Sequence, residues 1–131
     1  MEIFVDAKPK VRILIESMIP SMLEQLKISK SKQYLYVMVD SMGGMGQAIP
    51  LTGIDTYLIV LHPTKDMASL GSTLAHELVH VAQMIKGKLK ITPKGRKWKG
   101  KFYKSDYPYL SQPWELEAFA KQEIIFRRAI N

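Results

Sequence analysis

The residues with the clearest chemical meaning are His76, Glu77 and His80, in the run His76-Glu77-Leu78-Val79-His80. Two histidines four residues apart project from one face of a helix, one turn apart, where both imidazoles can reach a single ion. Neutral imidazoles suit zinc, which in catalytic sites takes three protein ligands and keeps one position for water. Zinc lowers the pKa of that water toward about 7, and a glutamate beside the first histidine can accept its proton. The pattern predicts one zinc ion per chain, with His76 and His80 as ligands, Glu77 as general base and hydrolysis as the reaction. The chain has no cysteine, which excludes thiolate ligands and thiol catalysis, so the remaining ligands must be His, Asp, Glu or water.

The third ligand is open to more than one reading. His62 is the one histidine left. A downstream carboxylate is favoured, and Trp114-Glu115-Leu116-Glu117-Ala118 offers two. On a helix these point about 200° apart, so only one can face the ion. Glu117 shares a stripe with Trp114, Ala120 and Ile124, the side expected to pack inward, and is assigned the ligand role. Glu115 shares a stripe with Gln112, Ala118 and Gln122 and is expected to cap the helix N-terminus. A tetrahedral intermediate also needs a hydrogen-bond donor for its oxyanion. Tyr103, Tyr107 and Tyr109 are candidates, and Asp106 could orient a histidine through its second ring nitrogen.

These residues must be positioned by a small set of elements. The 131 residues, 47% hydrophobic and 24% charged, fit one globular domain and exclude a disordered tail or fibrous repeat. Residues 2–5 read as a short strand. A helix follows from about Lys10 to Lys27, which Pro20 should kink or split. Tyr34 to Val39 reads as a strand, Gly43 to Gly46 as a turn, Gln47 to Leu51 as a returning edge strand and Tyr57 to Leu61 as the firmest strand. An apolar helix should begin between Thr64 and Ser69 and run to Lys86, with Gly87 as its cap. Residues 86–104 read as a long basic loop, and Pro113 opens a last helix to about Ala129. The order predicts an α+β domain over residues 1–131, with a small mixed sheet packed on a buried active-site helix, flanked by an N-terminal helix and a C-terminal glutamate-bearing helix.

The run Thr73 to His80, followed by a glutamate in a Glu-Ala pair on a later helix, resembles the gluzincin type of zincin metallopeptidase. It is similar in particular to small single-domain forms from phages and prokaryotes, the SprT-like and ImmA/IrrE-like groups. The resemblance covers roughly residues 57–125. It implies a zinc metalloprotease acting on a peptide or protein substrate, with His76, His80 and Glu117 at the ligand positions, Glu77 as base and an edge strand that holds an extended peptide. Lys121 stands where thermolysin-like members carry an aspartate four residues after the ligand glutamate.

The formal net charge is +7, and no acid occurs between Glu77 and Asp106. Residues 86–104 carry nine Lys or Arg, interleaved with Trp98, Phe102 and Tyr103. Such a segment favours acidic partners. Lys97, Lys99 and Lys101 mark it as a candidate basic binding surface, so one alternative is an SprT-like protease docked on nucleic acid. A second alternative is a non-catalytic binding module with a structural zinc. No apolar run reaches the roughly 20 residues of a membrane span. The opening run MEIFVDAKPK lacks a basic start and an apolar stretch. The expectation is a cytoplasmic protein, of the cell or of a phage-infected host, with no membrane partner.

Overall fold

A computed structural model of the chain describes residues 1–41 and 44–131; of the expected turn over Gly43 to Gly46, Gly43 therefore lies outside the described residues. The elements are β1 (Glu2–Asp6), α1 (Pro9–Gln25), β2 (Tyr34–Val39), β3 (Gly46–Leu51), β4 (Thr56–Leu61), α2 (Met67–Ile85), β5 (Leu89–Thr92), β6 (Gly95–Trp98), β7 (Lys101–Lys104) and α3 (Pro113–Ile130). The fold is α+β, as the element order predicts.

Four strands form a mixed sheet in the order β1-β2-β4-β3, with β1, β2 and β4 parallel and β3 antiparallel at the edge. Alternation decides its faces. Leu35, Val37, Ile59 and Leu61 are buried toward the helices, while Tyr34 and Tyr36 on the other side stay exposed. The inner face and the three helices enclose one core, in which Ile15, Met18, Ile19, Met22, Leu74 and Leu78 are almost fully buried.

Pro20 does not split the first helix: α1 runs unbroken through it. Its ring faces solvent. The buried face of Ile15, Met18, Ile19, Met22 and Leu23, at about 1.5–3 kcal/mol for each fully buried side chain, outweighs the roughly 3 kcal/mol that an interior proline costs. α2 is capped by Asp66, whose carboxylate accepts from the Ala68 N–H at 3.1 Å. It ends where Gly87, at φ +75°, lets the Lys88 N–H reach back to the Gln83 carbonyl at 2.9 Å.

The basic segment is not a loop. β5, β6 and β7 form a second, antiparallel sheet. Between β6 and β7, Lys99 and Gly100 sit at φ +49° and +87°, the two left-handed residues that a tight two-residue hairpin of matching twist requires. Leu89 and Trp98 of this sheet pack on Trp114 of α3 in a small core of their own. No helix among the described residues is long and apolar enough to cross a membrane.

Candidate metal centre and its cleft

The site is built on the most deeply packed element. Every residue of α2 from Leu74 to Gln83 is buried, including His76, Glu77, His80 and Gln83. Polar side chains buried there cost free energy unless they are partnered. The imidazoles of His76 and His80 lie edge to face with centroids 4.9 Å apart. Their Nε2 atoms point at one oxygen, Glu115 Oε1, at 2.8 and 2.9 Å. These three side chains form a cluster that could hold a metal ion.

The carboxylate at this cluster is Glu115, and the assignment of Glu117 is corrected. The inward face of α3 is set by Trp114, Ala118, Ile125 and Phe126, not by Ala120 and Ile124, which are exposed. That rotation turns Glu115, Ala118 and Gln122 toward α2. Glu115 is therefore no N-terminal cap. Glu117 accepts instead from Gln83 Nε2 at 3.1 Å and lies 3.9 Å from Lys121 Nζ. His62 is exposed beyond β4, in a separate hollow with Met45 and Thr73, away from the cluster.

Two glutamines, not Asp106, hold the histidines from behind. His80 Nδ1 lies 2.8 Å from Gln83 Oε1, and His76 Nδ1 lies 2.7 Å from Gln122 Oε1. The orientation of Gln83 is fixed by its other end, since Nε2 donates to the Trp114 carbonyl at 3.0 Å and to the Glu117 carboxylate. An amide oxygen facing Nδ1 can only accept, so the proton of a neutral His80 sits on Nδ1 and its Nε2 lone pair faces the cluster. Gln83 had one sequence signal: a polar residue three positions after His80 on a helix otherwise apolar.

A carboxylate oxygen and imidazole lone pairs aimed at one point require positive charge between them. Burial disfavours the Glu115 carboxylate, but the hydrogen bonds from His76 and His80 and their charges outweigh it and pull its pKa down to about 2. Burial likewise works against a charged His80, and the bond to Glu115 reverses this, so its pKa is raised. Glu77 is different. Its pKa is raised chiefly by burial, opposed by the two histidines, and among the described residues its carboxylate makes no hydrogen bond.

An open cleft of about 280 Å³ lies over the cluster. Its floor is His76, Glu77, His80 and Glu115, one wall is the edge strand β3 from Gly46 to Ile49, and the other is Leu89, Ile91 and Arg96 of the second sheet. Gly46 lets β3 approach: a Cβ there would stand 2.6 Å from Thr73 Cγ2 and 3.2 Å from Glu77 Oε2. Of the three tyrosines, only Tyr109 lines the cleft, with its hydroxyl donating to Glu115 Oε1 at 3.2 Å. Burial and the Glu115 charge raise its pKa to about 12, so it stays a donor. Tyr103 packs on Trp114 and Tyr107 at 5.3 and 4.9 Å, and neither it nor Tyr107 reaches the cleft.

Compared with known proteins, the chain matches no family model, no curated protein and no solved structure.

Proposed function

We propose that the chain is a zinc-dependent peptidase with His76, His80 and Glu115 as metal ligands and Glu77 as general base. One observation carries the reading: the two imidazoles and the Glu115 carboxylate converge on the floor of an open cleft, beside Glu77, whose carboxylate makes no hydrogen bond among the described residues. Zinc held by two imidazoles and a carboxylate would supply a Lewis acid that acidifies water and polarises a carbonyl. The donor set fits it, since both nitrogens and the carboxylate oxygen are deprotonated once Nδ1 of each ring carries the proton.

The chain's own residues account for the rest. The open edge of β3 offers backbone donors and acceptors to an extended peptide, apart from Pro50, which has no N–H. Water adds to the scissile carbonyl carbon, Glu77 takes its proton, and the C–N bond breaks as that proton passes to the leaving amine. A carboxyl whose pKa is raised by burial is suited to both transfers. Tyr109, which lines the cleft with its hydroxyl on Glu115, is the proposed donor to the oxyanion. A purely structural metal needs a closed site and no base, which the cleft and Glu77 argue against.

The test is hydrolysis of a fluorogenic peptide library by zinc-loaded protein with and without chelator. Glu77→Gln should keep metal and fold and lose about 100- to 10,000-fold in kcat. Turnover by this variant within about twofold of the unmutated protein would remove Glu77 from the role.

A second reading, the same hydrolase docked on nucleic acid, is supported by the register of the second sheet. Lys90 lies directly across from Lys97, which lies across from Phe102. These three and Lys104 share the exposed face. Like charges directly opposed across strands are destabilising, and a polyanion would relieve them, with a base stacked on Phe102. Of the lysines first singled out, Lys97 lies on this face. Lys99 is in the turn over Trp98, and Lys101 lies on the reverse face over Tyr103. Replacing Lys90, Lys97 and Lys104 by Gln should weaken binding of a single-stranded oligonucleotide and flatten its salt dependence. No binding by the unmutated protein at about 50 mM salt would refute it.

A further inference from the structure

The cations of residues 86–104 are not equivalent. Eight of the nine are exposed, and Arg96 alone is half-buried. It shares the inward face of the second sheet with Ile91 and Tyr103, its direct neighbours across the strands. Leu89, Ile91 and Arg96 of that face line the cleft with Met84 and Trp114 beside them, and Arg96 also lines an adjoining hollow with Tyr109 and Glu115. Its hydrogen bond among the described residues is to the adjacent Gly95 carbonyl at 3.2 Å, which uses one of five donors. No carboxylate among the described residues forms an ion pair with it. A half-buried guanidinium with no ion pair keeps most of its donors unused, and a planar fork of this kind is matched by a carboxylate taken two-handed.

We infer that Arg96 selects substrates that carry a carboxylate beside the scissile bond, from an acidic side chain or a free peptide C-terminus. The inference rests on the peptidase reading of the same cleft. It extends that reading to a substrate class, acidic peptides. The segment that carries Arg96 adds to the attraction, since it contains no acid between Glu77 and Asp106.

The test uses zinc-loaded protein and matched peptides with Glu, Gln or Lys on either side of the scissile bond. A further pair, ending in a carboxylate or an amide, distinguishes the two sources of the charge. The kcat/KM for the carboxylate-bearing peptide should exceed that of its Gln or amide analogue by about 10- to 100-fold. Arg96→Gln should bring this ratio toward one, Arg96→Lys should retain part of it, and Arg96→Glu should invert the order of the Glu and Lys peptides. Equal rates for the acidic and neutral peptides in the unmutated protein, or a ratio that survives Arg96→Gln, would overturn the inference. Equilibrium binding of the same peptides to the metal-loaded Glu77→Gln variant, followed by the fluorescence of Trp98 and Trp114, of which Trp114 lines the cleft, separates the two claims. Acid-selective binding without turnover by the unmutated protein overturns the peptidase reading and keeps Arg96 as the residue that selects carboxylate-bearing peptides. Turnover without selectivity does the reverse, and neither binding nor turnover of any peptide overturns both.

Discussion

Replacing Gln83 by Leu should weaken the metal centre without touching a ligand. Gln83 is 2% exposed, and its amide joins His80 Nδ1, the Trp114 carbonyl and the Glu117 carboxylate within 3.1 Å. Leucine keeps most of the volume, so the cavity cost is small. It leaves the His80 N–H buried without a partner, while the Trp114 carbonyl keeps its place in the α3 ladder. At about 1–3 kcal/mol for one orphaned group, the metal-free protein should lose about that much, toward the lower end if water enters. Metal affinity should fall about 10- to 100-fold, because the ring is no longer held with its proton on Nδ1. Urea unfolding of the chelated protein measures the first effect, and competition with a chromophoric chelator the second. Glu117→Gln spares both the Trp114 and His80 bonds and should move affinity by less than about threefold. If Gln83→Leu bound zinc within about twofold of the unmutated protein, the argument that Gln83 fixes the His80 tautomer would fail.

The pH dependence of the chelated protein follows from two opposed shifts. Glu115 is depressed from 4.5 to about 2, so its contribution is present above 4.5 and lost as pH falls toward 2. His80 is raised from 6.5, so its contribution is full below 6.5 and lost as pH rises through its folded value. This pair should therefore stabilise the metal-free protein most between pH 4.5 and 6.5. Thermal midpoints across pH should show both limbs, and Glu115→Gln should flatten them; superimposable profiles would contradict the pairing. Gly46→Ala should lower peptide hydrolysis more than metal affinity, because the added methyl presses on Thr73 and the Glu77 carboxylate. Loss of metal in proportion to activity would show that β3 supports the ligands rather than the base.

Much of the site was legible because α2 couples spacing to geometry. A helix carries residues four apart to one face whatever surrounds it, so His76, Glu77 and His80 could be read together. The third carboxylate could not be read the same way. α3 leaves Leu116, Phe119 and Ile124 about half exposed, so its apolar residues spread around the circumference and its stripe gives no unique phase. Ala118 and Phe126 decide the rotation only through contact with α2, where Phe126 fills the space over Gly71 that a Cβ would occupy. The second sheet was hidden by its lysines, which mask the alternation of Leu89 with Ile91 and Arg96 with Trp98. Its one local sign was the Lys99-Gly100 turn.

The central claim is that this cluster binds a metal through Glu115 and not Glu117. Elemental analysis of protein purified without chelator and supplied with zinc, run on the unmutated chain, Glu115→Ala and Glu117→Ala together, tests it most directly. The account predicts one zinc per chain for the unmutated protein and Glu117→Ala, and little for Glu115→Ala. Metal retained by Glu115→Ala and lost from Glu117→Ala, or no transition metal in any of the three, would contradict it.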